Sequence, residues 1–172
     1  MDQQNGELQQ LSGQEGMEKI RELVKDIRIA MMSTIDEDGE IRSRPMATQN
    51  EPFNGTLWFL ARGSSGKVAE VVQDHHVTLD YADPDHSKYI TLRGTASVSR
   101  DRAKIKELWN VMYKAWFPKG EDDPEIAVLR VDVEEGDYWE ASGSKVVMLA
   151  KYAVAAATGG KVPLGEAGHV TV

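Results

Sequence analysis

The sequence predicts a mainly β fold, an antiparallel barrel of about six or seven strands with helices at its periphery. Three observations carry this. Short β-branched or alternating segments recur from Ile29 onward. Most are joined by tight turn signals, namely Asp36-Glu37-Asp38-Gly39, Asn54-Gly55 and Asp83-Pro84-Asp85. Segments with helical spacing fall between or outside the strands rather than after each one. A doubly wound βαβ fold would need that alternation, which makes a Rossmann reading unfavourable.

Each element follows from its local pattern. Residues 1–12 are polar and read as a disordered leader. Ser12-Gly13-Gln14-Glu15 has the form of a capping box, and Met17, Ile20, Leu23, Val24 and Ile27 follow at helical spacing, predicting a helix over Gly13–Asp26. Ile29–Ile35 and Glu40–Gln49 form a hairpin across the Asp36–Gly39 turn. Thr56–Ala61 is a strand, and the loop Arg62–Gly66 opens a short helix over Lys67–Gln73. Val77–Ala82 and Lys88–Ser99 pair across the Asp83–Asp85 turn, with Gly94 marking a bulge or bend. Asp101 caps a helix whose apolar residues include Ile105, Leu108, Trp109 and Met112. Pro118–Pro124 is irregular, Ile126–Val133 alternates as a strand, and Tyr138-Trp139-Glu140 reads as one more. A helix over Lys145–Thr158 leads into a Gly-rich tail.

Composition narrows the function classes. The chain of 172 residues is 41% hydrophobic, enough for one domain with a real core. Cysteine is absent, which removes disulfides, thiol nucleophiles and thiolate metal sites. Met1–Gly16 lacks the apolar core of a signal peptide, and no apolar run approaches the roughly 18 residues a membrane span needs. The expectation is a cytoplasmic protein with no membrane association. Net charge is −8, which disfavours nucleic acid as a partner. Yet between Ile41 and Ala69 the basic residues are Arg42, Arg44, Arg62 and Lys67, against Glu51 as the only acid. A small basic locus in an acidic chain suits a compact anion such as a phosphate.

Two motifs supply that locus. Gly63-Ser64-Ser65-Gly66-Lys67 lies between a strand and a helix, where free amides and the helix dipole favour an anion. Ser64 and Ser65 offer hydroxyl donors and Lys67 a point charge. It is not a Walker A loop, because Ala61 and Val68 stand where that motif needs glycine and a hydroxyl. An ordinary loop with a capping serine would read the same way. In Arg42-Ser43-Arg44-Pro45-Met46, period two puts Arg42, Arg44 and Met46 on one face. Those arginines must meet water, carboxylates or an anionic ligand. Pro45 marks a sheet edge or bulge.

Other candidates are weaker. His75, His76, His86 and His169 show no metal-ligand spacing, so no metal site is expected. Glu134, Glu135, Asp137 and Glu140 read as a solvated acidic turn. Trp109 at helical spacing is assigned to the core, while Trp116, where the helix must end, leans to an interface or ligand contact. No nucleophile-elbow pattern supports a hydrolase.

Taken in order, Gly39–Met46, Leu57–Ala61 with Ser65-Gly66-Lys67, Tyr89–Val98, Leu108–Pro118, Tyr138-Trp139-Glu140 and Gly165–Val170 resemble the pyridoxamine 5′-phosphate oxidase-like superfamily of FMN-binding split barrels. The branch they resemble is the general stress protein 26-like group, and the resemblance spans about Gly16–Val172. It implies a single FMN-binding split-barrel domain over residues 13–172, a homodimer, and a site shared by two subunits. Arg44, Pro45 and Met46 match the first flavin-contacting strand, and Leu60 and Ala61 match the segment beside the isoalloxazine ring. Ser65 and Lys67, with Ser64 beside them, match the phosphate grip. Tyr89 matches a polar contact, Trp139 a tryptophan brought by the second subunit, and Trp116 joins it. The oxidases that make pyridoxal phosphate carry an arginine where this chain has Gly66, and an Arg-x-His pair where no arginine follows Arg130. Pyridoxamine phosphate oxidation is therefore not expected. The resemblance implies an FMN-dependent oxidoreductase of unknown substrate. Its alternatives are a non-catalytic flavin-binding or flavin-buffering protein, or a split barrel holding FAD, a deazaflavin or haem. No residue stands out as a catalytic acid or base.

Overall fold

The computed structural model describes residues 8–49, 51–141, 145–160 and 165–172. In chain order the elements are β1 (Gln9–Leu11), α1 (Gly13–Val24), β2 (Ile29–Ile35), β3 (Ile41–Ala47), β4 (Thr56–Arg62), α2 (Gly66–Gln73), β5 (His76–Asp83), β6 (Lys88–Ser99), α3 (Arg102–Leu108), a 3₁₀ turn (Val111–Ala115), β7 (Ile126–Ala141), α4 (Lys145–Thr158) and β8 (Gly165–Thr171). The predicted hairpins form as expected: β2 pairs antiparallel with β3 and β5 with β6. The mainly β class holds, with eight strands among the described residues.

The sheet runs β1-β8-β7-β6-β5-β2-β3, and β4 joins through β7. β7 carries this arrangement. It pairs with β6 along nearly its whole length. Its other edge is shared, by β4 over Ile126–Asp132 and by β8 over Glu135–Ala141. Gly94 sits at a register shift, as predicted. Arg93 faces Glu135 and Gly94 faces Val133, leaving Glu134 as the extra residue of a bulge. A Cβ at Gly94 would stand 2.1 Å from the Asp132 carbonyl oxygen, so only glycine allows this approach.

Two cores result. The larger fills the barrel under α1 and α2, joining Ile20 and Leu23 to Met32, Phe59, Leu79, Ile90, Leu92 and Leu129. The smaller lies on the other side of β4 and β7, where Ile105, Leu108 and Phe117 cover Ile126 and Val128. Each fully buried side chain of this size contributes about 1.5–3 kcal/mol. Burial on both sides explains why Ile126–Leu129 is buried at four successive positions rather than at alternate ones.

Several expectations are corrected. Ile126–Val133 and Tyr138–Glu140 are one strand, and Glu134, Glu135 and Asp137 lie within it rather than in a solvated turn. Arg93 bridges Glu135 at 2.7 Å and Asp137 at 2.8 Å, and His169 meets Asp137 at 2.9 Å, which makes extended backbone tolerable there. The Gly-rich tail contains β8, whose Gly168 lets Tyr138 and the Gln9 carbonyl approach to 2.7 Å of where a Cβ would be. Gln9–Leu11, placed in the leader by the sequence, is a strand parallel to β8; residues 1–7 lie outside the described residues. Helix α1 stops at Val24 instead of Asp26, and its Ser12 N-cap makes no side-chain hydrogen bond, so the capping box is not formed. Helix α3 ends at Leu108, leaving Trp109 partly buried against the smaller core and Met112 exposed on the 3₁₀ turn. Asp101 does cap α3, accepting from the Ala103 and Lys104 amides.

Candidate functional site

The barrel is open along one seam. β3 pairs with β2 alone and β4 with β7 alone; the two strands touch without exchanging ladder hydrogen bonds. Pro45, which has no amide to donate, occupies the exposed β3 edge, as edge strands allow. Helix α2 follows β4 across the loop Gly63–Ser65 and packs against β2 and β6. The seam thus brings together β3, the end of β4 and the start of α2, the segments that the two sequence motifs mark.

Period two sorts β3 as expected. Met46 is buried, Arg44 is half-buried, and Ser43 and Pro45 face outward. Of the three fates open to the arginines, both take carboxylates. Arg42 bonds Asp36 at 2.7 Å on the exposed hairpin. Arg44 donates through Nη2 to Glu70 Oε2 at 2.5 Å and through Nη1 to the Thr34 hydroxyl. That hydroxyl donates in turn to Glu70 Oε2 at 2.5 Å. Burial pushes the Glu70 carboxyl up, but the hydrogen bonds from Thr34 and Arg44 and the guanidinium charge outweigh it and hold it below the ordinary carboxylate range.

Lys67 lies at the same place with a different neighbour. Its half-buried ammonium contacts the Met46 sulfur at 3.4 Å. Burial and then the nearby Arg44 charge push it below the usual lysine value, with Glu70 partly offsetting them. Among the described residues no carboxylate forms an ion pair with it.

The serines are committed elsewhere. Ser64 Oγ donates to Glu125 Oε2 at 2.8 Å and Ser65 Oγ to the Arg62 carbonyl at 2.6 Å. Neither hydroxyl caps α2, so the first amides of that helix keep no side-chain partner. Ala61, like Met46, is buried in the larger core, while the Leu60 side chain packs on the smaller core. Trp116 is 57% exposed, stacks near Tyr113 at 6.2 Å, and its carbonyl accepts from Arg62 at 2.5 Å.

Tyr89 and Trp139 belong to another surface. They face each other across β6 and β7 and are 43% and 53% exposed. The pairings place them on the outer face of the sheet with Met31 and Pro45, and with Ile29, Ile35 and Ile41, all exposed. One chain therefore assembles Arg44, Met46, Ala61 and Lys67 and leaves Tyr89 and Trp139 apart from them.

Glu70 and Thr34 are site residues the sequence reading missed. The signal for Glu70 was its place three residues after Lys67 on one helix face; for Thr34 it was its register opposite Arg42 on β2. A cavity of about 310 Å³ at the end of the β2–β3 hairpin, lined by Thr34, Ile35, Ile41, His76, Arg93 and Glu135 among others, is reached by Thr34 but by none of the site residues expected from the sequence. Among the described residues no cluster of His, Asp and Glu could hold a metal, and no helix is long and apolar enough to cross a membrane.

Known proteins share this architecture. The family described as pyridoxamine 5′-phosphate oxidase like matches residues 15–163. Protein bli-3 of Neurospora crassa is 28% identical over 142 residues, covering 77% of this chain and 68% of its own. A Jannaschia sp. CCS1 structure described as general stress protein 26 superposes with a TM-score of 0.76 at 25% identity, covering 90% of this chain and 97% of that one. A general stress FMN/FAD binding protein of Xanthomonas citri superposes with a TM-score of 0.65 at 27% identity, covering 77% of this chain and 93% of that one. An open seam between β3 and β4, with a basic pair at its mouth and this match along nearly the whole chain, makes the protein a member of the pyridoxamine 5′-phosphate oxidase-like split-barrel family, in its general stress protein 26-like branch.

Proposed function

We propose that the chain is a homodimeric flavoprotein that binds FMN at the β3–β4 seam. The observation that carries this reading is Lys67, a half-buried ammonium beside Arg44 that forms no ion pair with a carboxylate among the described residues, at the seam between β3 and β4. A half-buried cation without an ion-pair partner is costly, and a phosphate relieves that cost. The Xanthomonas citri relative, described as FMN/FAD binding, supports a flavin as the bearer of that phosphate.

In this reading Lys67, the Ser65 segment and the first α2 amides hold the phosphate. Arg44, Pro45 and Met46 on one strand and the Leu60–Ala61 backbone on the other border the ring. A second subunit would complete the pocket. The exposed apolar face carrying Met31, Ile41, Tyr89 and Trp139 is the surface for that contact, since such faces on soluble chains mark interfaces. Trp139 of the partner subunit then closes the ring side, with Tyr89 beside it and Trp116 at the margin. Flavin supplies redox chemistry when bound, and the chain supplies binding, orientation and electrostatics. The candidate residues include no group placed as a general acid or base, so binding is the primary act and oxidoreductase turnover an additional one.

Titration of FMN into apo-protein, followed by flavin fluorescence and visible absorbance, tests the reading. Saturation at one FMN per chain is expected, with a dimer by light scattering. Lys67→Ala is expected to weaken binding by about 1–3 kcal/mol, the size of a lost charge-assisted hydrogen bond. Unchanged affinity would remove Lys67 from the site, and a monomer with full affinity would overturn the shared pocket. Turnover with NADH or NADPH and an electron acceptor separates an oxidoreductase from a flavin carrier.

A further inference from the structure

The Arg44 guanidinium is already occupied. Its Nη2 meets Glu70 Oε2 at 2.5 Å, and Thr34 links both side chains, donating to the same carboxylate oxygen at 2.5 Å. Glu70 stands three residues after Lys67, on the same face of α2. Arg44 and Glu70 are largely shielded, with side chains 20% and 16% exposed. Two cations and one carboxylate leave the seam a single net positive charge. A phosphate monoester carries about −1.5 to −2 at pH 7 and would use both cations fully.

A carboxylate and a phosphate present the same chemistry to a guanidinium, acceptor oxygens spaced for its fork of N–H donors. Glu70 therefore fills on Arg44 the place an incoming phosphate would take. We propose that Glu70 is an internal competitor for the ligand's phosphate: it holds Arg44 in the free chain, lowers the affinity for phosphate monoesters, and sets how strongly the site separates FMN from riboflavin. This rests on the seam being the flavin phosphate site. Hydrogen bonds that hold the Glu70 carboxyl ionised make the competition permanent at neutral pH rather than a proton switch.

The alternative role for Glu70 is to position Arg44 for the phosphate, and the two roles predict opposite signs. Glu70→Gln keeps the side-chain size and its hydrogen-bonding oxygen but removes the charge. FMN and riboflavin would be titrated into wild type and variant at fixed salt. The expected result is FMN binding at least about tenfold tighter in the variant, a modest share of one charge–charge contact near a protein surface, with riboflavin affinity unchanged. FMN affinity that falls or stays constant, while riboflavin still binds, overturns the competitor and leaves the flavin reading intact. Thermal unfolding with inorganic phosphate is the flavin-free arm. A larger phosphate-induced rise in Tm for Glu70→Gln than for wild type supports competition even where neither form binds flavin, in which case the flavin reading alone falls. Equal rises without flavin binding overturn both. Should Glu70→Gln fail to fold, Glu70→Asp draws the carboxylate back by one methylene. It is expected to tighten FMN by a smaller factor, and no change would overturn the proposal.

Discussion

Tyr81 shows how a single buried atom shapes expectation at the residue scale. Its ring is among the largest fully buried side chains, yet its hydroxyl has no hydrogen-bond partner among the described residues. Burial alone pushes its ionisation well above the usual tyrosine value. A desolvated hydroxyl with nothing to bond is a liability, so Tyr81→Phe is expected to raise stability by about 1 kcal/mol in urea unfolding. A loss of that size would mean the hydroxyl has a partner after all. Arg44 and Lys67 were legible because a charged residue on an apolar strand or at a helix start must be answered by something. Their actual answers, Glu70 and the Met46 sulfur, were not, because both come from pairings across separate elements.

At the scale of elements, β7 separates what periodicity can and cannot read. Its two halves look like two strands because Glu134-Glu135-Gly136-Asp137 interrupts the apolar pattern. They form one strand because Arg93 pairs with Glu135 and Asp137, His169 hydrogen-bonds Asp137, and Gly136 admits Leu92. The bulge depends on Gly94. Gly94→Ala would set a methyl 2.1 Å from a backbone oxygen that cannot move alone. It is expected to cost about 1–3 kcal/mol or more, as overpacking does. Urea unfolding would show it, and an unchanged midpoint would mean the ladder yields there. Caps divide likewise: Asp101 bonds two amides of α3, whereas Ser12 and Ser65 begin helices without capping them through their side chains.

For the whole molecule, buried and paired carboxylates set the response to acid. Glu70, Asp137 and Glu140 are all pushed up by burial but held below their ordinary values by cationic and hydrogen-bonding partners: Thr34 and Arg44, His169 and Arg93, Lys19 and Lys88. A depressed folded value means the stabilisation is complete above the unfolded values, about 3.9 for Asp and 4.3 for Glu, and drains as pH falls through the folded ones. Tm is therefore expected to be flat from neutral pH to about 5 and to fall below about 4. A Tm that rises on acidification would contradict these pairings. Lys19 and Lys88 share Glu140, tying α1 to the end of β7, so this loss is expected to accompany release of the first helix.

The sequence alone determined the mainly β class, the hairpins, the bulge glycine, the Gly/Ser loop between β4 and α2, and the basic strand. These are local properties: a turn, a period or an unpaired charge is decided within a few residues. Tertiary structure decided the rest. β1 and β8 are short, polar or glycine-rich, and become strands only because β7 offers β8 an edge and β8 in turn offers one to β1. The seam exists because β4 pairs with β7 and not with β3, a choice between distant partners that no local pattern records. Glu70 enters the site for the same reason, since only the packing of α2 on β2 places a helix carboxylate on a strand arginine.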